Sequence, residues 1–150
     1  MPTRADWLLS EELAPSTGGQ LAPLYAAAAQ GRLALPFCGR CGLPLELEQQ
    51  VCDGCEDRRV VWRATAARGA VHAVTVVHRP EPGLVLAAEP YVVADVELDG
   101  GHRLVLTSVR PLAHPPAIGD PVAIAFRQLG GVAVPAFDPI PPDPHPEAPR

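Results

Sequence analysis

Two short cysteine pairs, Cys38-Gly39-Arg40-Cys41 and Cys52-Asp53-Gly54-Cys55, stand ten residues apart and hold every cysteine of the chain. Each C-x-x-C can place two thiolates on one tight turn, with Gly39, Gly42 and Gly54 letting backbone N–H groups point at sulfur. Two such turns meeting form a tetrahedral cage of four thiolates, the ligand set that zinc prefers, with no position left for water. The spacing is shorter than that of larger zinc fingers and suits a compact ribbon. A rubredoxin-like iron site uses the same ligands, so the sulfurs alone leave zinc and iron both open. Two disulfides are disfavoured in a reducing compartment, and a thioredoxin-type redox motif needs a βαβ pattern that is missing here. A closed site of this kind builds structure; it does not activate water.

The remaining composition points to the reducing compartment. A chain of 150 residues buries enough surface to fold without cross-links. No run approaches 18 consecutive apolar residues, so a membrane-spanning helix is not expected. The opening Met1-Pro2-Thr3-Arg4-Ala5-Asp6-Trp7 has an early acid and no apolar core after it, unlike a secretory signal. The cytoplasm is the expected location. All basic residues are arginine, and the formal net charge is −5. A zinc tetrathiolate makes that balance more negative still. Broad affinity for nucleic acid or for an anionic membrane is therefore not expected.

Along the chain, the elements fall into four stretches: a leader and helix over 1–34, the ribbon over 35–59, a strand-rich region over 60–138, and a Pro-rich disordered tail over 139–150. Asp6 to Leu13 reads as a short helix stopped near Pro15. Leu21, Leu24, Tyr25 and Ala28 recur at helical spacing, with Pro23 in the first turn and Gly31 as a left-handed cap. Residues 35–57 show little periodicity apart from the cysteines. Val60 to Ala64 is a short strand. Ala70 to His78 alternates, which places His72, Val74, Val76 and His78 on one face. Tyr91 to Leu98 and Arg103 to Val109 flank the turn Asp99-Gly100-Gly101, where glycine supplies positive φ. Val122, Ile124 and Phe126 alternate with Ala123, Ala125 and Arg127, and Val132 to Val134 follows Gly130-Gly131. Some five short strands at this spacing fit a small closed barrel better than a sandwich. The fold class is mainly β.

Among the polar residues, Arg58, Arg59, Arg63, Arg68 and Arg79 fall in a stretch without an acid that also holds His72 and His78. Such a cluster can receive phosphates, as on a coenzyme A nucleotide or an RNA backbone, or form a solvated face pairing with acids elsewhere. His72 and His78 share a strand with valines and suit barrel or partner-contact positions better than catalysis. Tyr91 can stack on a ligand or simply line a barrel mouth. No G-x-S-x-G, Walker loop or G-x-G-x-x-G is present, and the cysteines are already employed, so covalent catalysis lacks its parts. Asp95 and Glu97 are expected to face solvent rather than act as a catalytic pair.

The order helix, four-cysteine ribbon, barrel resembles a family of small proteins found beside acyl-CoA-metabolising enzymes, with an N-terminal rubredoxin-like zinc ribbon and a C-terminal OB-fold. The resemblance rests on Ala29-Gln30-Gly31-Arg32-Leu33, on Cys38-x-x-Cys41-Gly42 with Cys52-x-x-Cys55, and on Val61-Trp62. Arg68-Gly69-Ala70-Val71, Thr75-Val76-Val77-His78-Arg79 and Pro90-Tyr91 extend it. So do Val96-Glu97-Leu98-Asp99-Gly100-Gly101, Ile118-Gly119-Asp120-Pro121-Val122 and Val134-Pro135-Ala136-Phe137. It covers roughly residues 20 to 138. It implies an N-terminal helix and four-cysteine zinc ribbon followed by a five-stranded OB-fold barrel, with zinc on Cys38, Cys41, Cys52 and Cys55. It further implies a noncatalytic accessory subunit in a hetero-oligomer with a thiolase-fold enzyme, either a thiolase or a lipid-transfer-type aldolase. Retro-aldol cleavage of a steroid side chain is one such reaction. The barrel would dock on the enzyme and contact or channel the acyl-CoA; Arg68, His72, His78, Arg79 and Tyr91 are the candidate contacts. The chain departs from the family at Leu45-Glu46-Leu47-Glu48-Gln49-Gln50, where an aromatic, proline-rich stretch is usual, and at Asp53, where a proline often follows the third cysteine.

Two other readings belong beside this one. An OB-fold binder of single strands needs stacking aromatics and a basic groove, whereas the chain is 5% aromatic and acidic. A stand-alone hydratase or thioesterase requires turnover of acyl-CoA by the isolated chain.

Overall fold

The computed structural model describes residues 4–79 and 81–141. After two short 3-10 turns, helix α1 (Ala22–Ala28) is followed by β1 (Ala34–Cys38), β2 (Val60–Ala64) and β3 (Arg68–Val77). Next come β4 (Tyr91–Leu98), β5 (Arg103–Thr107), β6 (Pro121–Leu129) and β7 (Val132–Pro139). The helix is the one its spacing predicts. Leu24 and Ala28 are buried, Pro23 sits in the first turn, and Gly31 at φ +71° ends it.

The last five strands form one antiparallel sheet in the order β5-β4-β3-β6-β7. It curls until its ends meet, where Ser108 bridges Phe137 in parallel and the Val109 N–H donates to the Phe137 carbonyl at 2.9 Å. A five-stranded sheet closed in this way is an OB-fold barrel. Val71, Val92, Ala94, Val96, Leu104, Val122, Ile124 and Phe137 fill it, with Leu24 entering from α1, Leu33 from the connection after it and Leu35 from β1. Gly69 is required where β3 crosses β4, since a Cβ there would lie 2.2 Å from the Glu97 carbonyl oxygen.

The alternation along β4 holds as read, with Val92, Ala94, Val96 and Leu98 buried. That along β3 does not. A bulge between Val71 and Ala73 shifts the register against β4, so the simple two-residue period breaks at His72. Val71 and the later Val74 and Val76 consequently all join the core, while His72 turns outward. The Val71 N–H and carbonyl are taken up by Asp120 and Gly119 of the loop before β6, at 3.0 and 2.8 Å.

The stretch over 35–57, read as lacking periodicity, opens on a strand. β1 pairs with β2 in a separate two-stranded sheet, from Ala34 opposite Ala64 to Cys38 opposite Val60. Proline and cysteine in Ala34-Leu35-Pro36-Phe37-Cys38 hide it from propensity, but burial of Leu35 and Cys38 holds it in place. At the other end, Pro139 closes β7 and the Ile140 N–H reaches the Pro121 carbonyl at 3.1 Å. The rest of the expected disordered tail, residues 142–150, lies outside the described residues.

The leader is a strap rather than the expected helix over Asp6 to Leu13. Only Glu11–Leu13 makes a 3-10 turn. Before it the chain is extended: Leu9 bridges Val85, the Ser10 N–H donates to the Leu84 carbonyl and the Leu86 N–H to the Leu8 carbonyl. Leu8 is completely buried. One carboxylate oxygen of Asp6 accepts from the N–H groups of Leu8 and Leu9 and from the Arg127 guanidinium at 2.5 Å. Arg127 lies on the face of β6 opposite Val122 and Ile124, as its spacing requires, and the strap buries it there with its Nη2 on the Thr107 hydroxyl at 2.8 Å.

Removing one partner of a buried ion pair strands the other charge and costs roughly 3–5 kcal/mol. Asp6→Ala should therefore lower the thermal midpoint by roughly 10 °C, and adding Arg127→Met should recover most of the loss. Thermal unfolding by circular dichroism checks this; a single variant as stable as the parent chain would show that the strap does not anchor the barrel.

Candidate metal centre

The first cysteine pair begins where β1 ends. Cys38 is the last residue of β1, and the chain then turns back so that the Cys38 N–H bonds the Leu43 carbonyl and the Leu45 N–H bonds Pro36. The second pair sits on a turn closed by the Glu56 N–H on the Cys52 carbonyl, from which the chain leads to β2. Pairing of β1 with β2 brings the two turns together. All four sulfurs lie within 4.8 Å of one another, with Cys38 to Cys55 and Cys41 to Cys52 each at 3.5 Å. That separation is well beyond a disulfide bond of about 2.05 Å. It approaches the roughly 3.8 Å between sulfurs around a tetrahedral zinc with bonds near 2.3 Å.

The backbone points at sulfur as the glycine placement anticipated. The N–H groups of Arg40 and Cys41 donate to Cys38 Sγ at 3.4 and 3.5 Å, and that of Gly54 donates to Cys52 Sγ at 3.4 Å. Donors of this kind stabilise thiolate. Those from Cys41 and Arg40 bring Cys38 down to about 6. At Cys41 the Leu43 N–H also pulls downward, but burial and the surrounding thiols outweigh it and push the group up to about 12. At Cys55 the Asp57 N–H is outweighed in the same way, and the thiol is raised. A metal ion entering the cage must displace protons from the raised thiols of Cys41 and Cys55. The donor set and the geometry fit a closed four-thiolate metal site. Every position of a tetrahedral ion is taken by sulfur, so the site is structural.

Apart from the cysteines, the ribbon has little to hold it, since the only other buried residue in its cluster is Leu45. It is fastened to the barrel by His102, which sequence reading passed over as part of a turn. His102 is buried, with Nε2 2.8 Å from the Pro36 carbonyl oxygen and its ring edge-on to Phe37 at 4.8 Å. The Arg63 guanidinium also lies 4.8 Å from the Phe37 ring centroid.

The other candidate contacts do not form one site. Arg68 opens β3 and Val77 ends it, which separates Arg68 from His78 and Arg79 by about 33 Å of strand. His72 faces Glu97 at 3.5 Å, and Arg79 pairs with Glu81 at 2.7 Å. Asp95 pairs with Arg103. Arg59 is held by Asp57 at 3.1 Å, so two of the five arginines expected to cluster are already matched with acids. Tyr91 stands beside Trp7 in a cleft of 360 Å³ between the strap and the segments before β4 and after β5. Among the described residues, no helix is long and apolar enough to cross a membrane.

The family model described as ChsH2, C-terminal OB-fold domain, matches residues 62–127 of this chain. Among solved structures, the chain is similar to one in a structure titled "Ltp2-ChsH2(DUF35) aldolase", at 30% identity and a TM-score of 0.71. The match covers 84% of this chain and 98% of that one. No curated protein sequence matches. The family match falls on the barrel and the structural match extends well beyond it; the chain belongs to the ChsH2 (DUF35) family.

Proposed function

We propose that the chain is the noncatalytic partner subunit of a thiolase-fold enzyme acting on acyl-CoA thioesters, most specifically a lipid-transfer-type aldolase, and that its four thiolates hold a structural zinc ion. The observation that carries the reading is the match to nearly the whole of a chain whose structure is titled as an Ltp2–ChsH2 aldolase. The closed cysteine cage is consistent with it, since four sulfurs leave an ion no site for substrate or water. In this reading zinc supplies no step of the reaction. Cys38, Cys41, Cys52 and Cys55 fix the ribbon, and the barrel presents surfaces to the enzyme. Steroid side-chain cleavage by retro-aldol chemistry is the reaction we assign to the complex, with cleavage performed by the enzyme subunit. Of the candidate contacts, Tyr91 in its cleft with Trp7 remains the one best placed to meet the partner or its acyl-CoA.

Two measurements test these assignments. Elemental analysis of the purified chain should give one zinc per chain. Stripping the metal with a chelator, or introducing Cys52→Ser, should speed amide exchange over residues 38–57 by at least a hundredfold and leave β3 to β7 protected. Iron at that stoichiometry would overturn the choice of metal, and unchanged exchange would overturn its structural role. Co-expression with a lipid-transfer-type aldolase of the thiolase fold should yield a stable hetero-oligomer, and the complex should cleave a steroid side-chain β-hydroxyacyl-CoA. The isolated chain should not. Separate elution of the two proteins, or turnover of acyl-CoA by the isolated chain, would contradict the proposal.

A further inference from the structure

The barrel is closed at one end of its last seam and open at the other. β5 pairs with β4 along its length, but its link to β7 is the single bridge from Ser108 to Phe137. The Leu98 N–H donates to the His102 carbonyl at 2.8 Å, which fixes the alternation of the antiparallel ladder. Main-chain groups of Leu104 and Leu106 therefore face β4, whereas those of Val105 point away from it into the open seam. Here lies a cleft of 640 Å³, walled by Leu24 and Tyr25 of α1, Leu47 of the ribbon, Leu106 of β5 and Pro135 of β7. Val105 beside it is 72% exposed, among the highest values for a large apolar residue here.

The unpaired charge at the rim is negative. Glu46 and Glu48 line the cleft and are exposed, and neither makes an ion pair among the described residues. Arg103, the cation at this rim, is already matched by Asp95. These acids belong to the Leu45–Gln50 stretch, the part of the ribbon that departs from the family pattern.

We infer that this seam is a docking site for an extended apolar segment flanked by arginine or lysine, contributed by the enzyme subunit. The inference rests on the partner-subunit reading and names the surface that reading needs. An extended segment can hydrogen-bond to the open edge at Val105, place alternate side chains against Leu24, Leu47 and Leu106, and bring cations to Glu46 and Glu48. A phosphate-bearing ligand would meet the wrong charge. A second copy of this chain carries the same net charge of −5, which opposes its docking here.

The test measures affinity for the co-expressed enzyme subunit with two variants, Val105→Glu and Glu46→Lys/Glu48→Lys. Both lie at exposed positions, and an unchanged thermal midpoint confirms that each is folded. Each should weaken the complex at least tenfold. Binding within twofold of the parent chain would place the interface elsewhere, overturning this site while leaving the partner reading intact. If no complex forms with any thiolase-fold enzyme, the partner reading fails, and a peptide titration of the isotopically labelled chain decides the site. A short valine–leucine peptide flanked by arginines should move the amide resonances of Leu47 and Val105, and its glutamate-flanked counterpart should not. An equal response to both peptides, or none, overturns the proposal. Movement by decanoate alone, which would indicate a lipid-tail site, and self-association abolished by Val105→Glu overturn it as well.

Discussion

Convergence of four sulfurs within 4.8 Å is the constraint on which the N-terminal half of the molecule depends. The segment from Cys38 to Cys55 folds back on itself twice yet fully buries almost nothing except Cys38, Cys52 and Leu45. A chain so short of apolar contacts cannot offset the entropy of ordering its turns. A metal bound to four thiolates can, because its binding energy is available only when the turns meet. The consequence reaches beyond the ribbon. β1 carries Cys38 at one end and the fully buried Leu35 nearer the other, so the strand that positions the first thiolate also plugs the barrel.

The barrel, in contrast, is held by burial and by closure. Its long first strand, β3, spans β4 and β6, and the bulge at His72 lets that strand bend while keeping its valines in the core. The leader lies across the outer face of β6, where Asp6 and Arg127 form a buried pair. Buried pairs of this kind seldom add much net stability, but they penalise misplacement strongly. Here the pair fixes which segment lies against the outer face of β6. The same strap builds one wall of the Trp7–Tyr91 cleft, so anchoring and surface shape are one piece of structure.

Much of this is legible in the sequence because the signals are local. Paired C-x-x-C turns, the helix ending at Gly31 and the hairpin at Asp99-Gly100-Gly101 each follow from a few neighbouring residues. What stays hidden depends on distant contacts. Nothing around Asp6 announces a partner 121 residues away, and an aspartate near a chain start reads as solvent-facing. His102 follows two glycines and looks like part of a turn, yet its ring ties ribbon to barrel through Pro36 and Phe37. The parity of β3 is obscured for a related reason. Alternation assumes an unbroken ladder, and the bulge is set by how β3 meets β4 and the Gly119–Asp120 loop, not by the residue types at His72. The arginines between 58 and 79 look like one patch because strand length is invisible in a linear count.

Four converging thiolates, and a ribbon locked to the barrel through His102, give so small a chain a rigid surface. That rigidity begins at the cysteine cage. X-ray absorption at the zinc edge of the purified chain tests it most directly. Four sulfur neighbours at about 2.3 Å, with no lighter atom bound to the metal, are the expected result. A coordination shell containing nitrogen or oxygen, or a chain without bound metal whose cysteines are paired as disulfides, would contradict it.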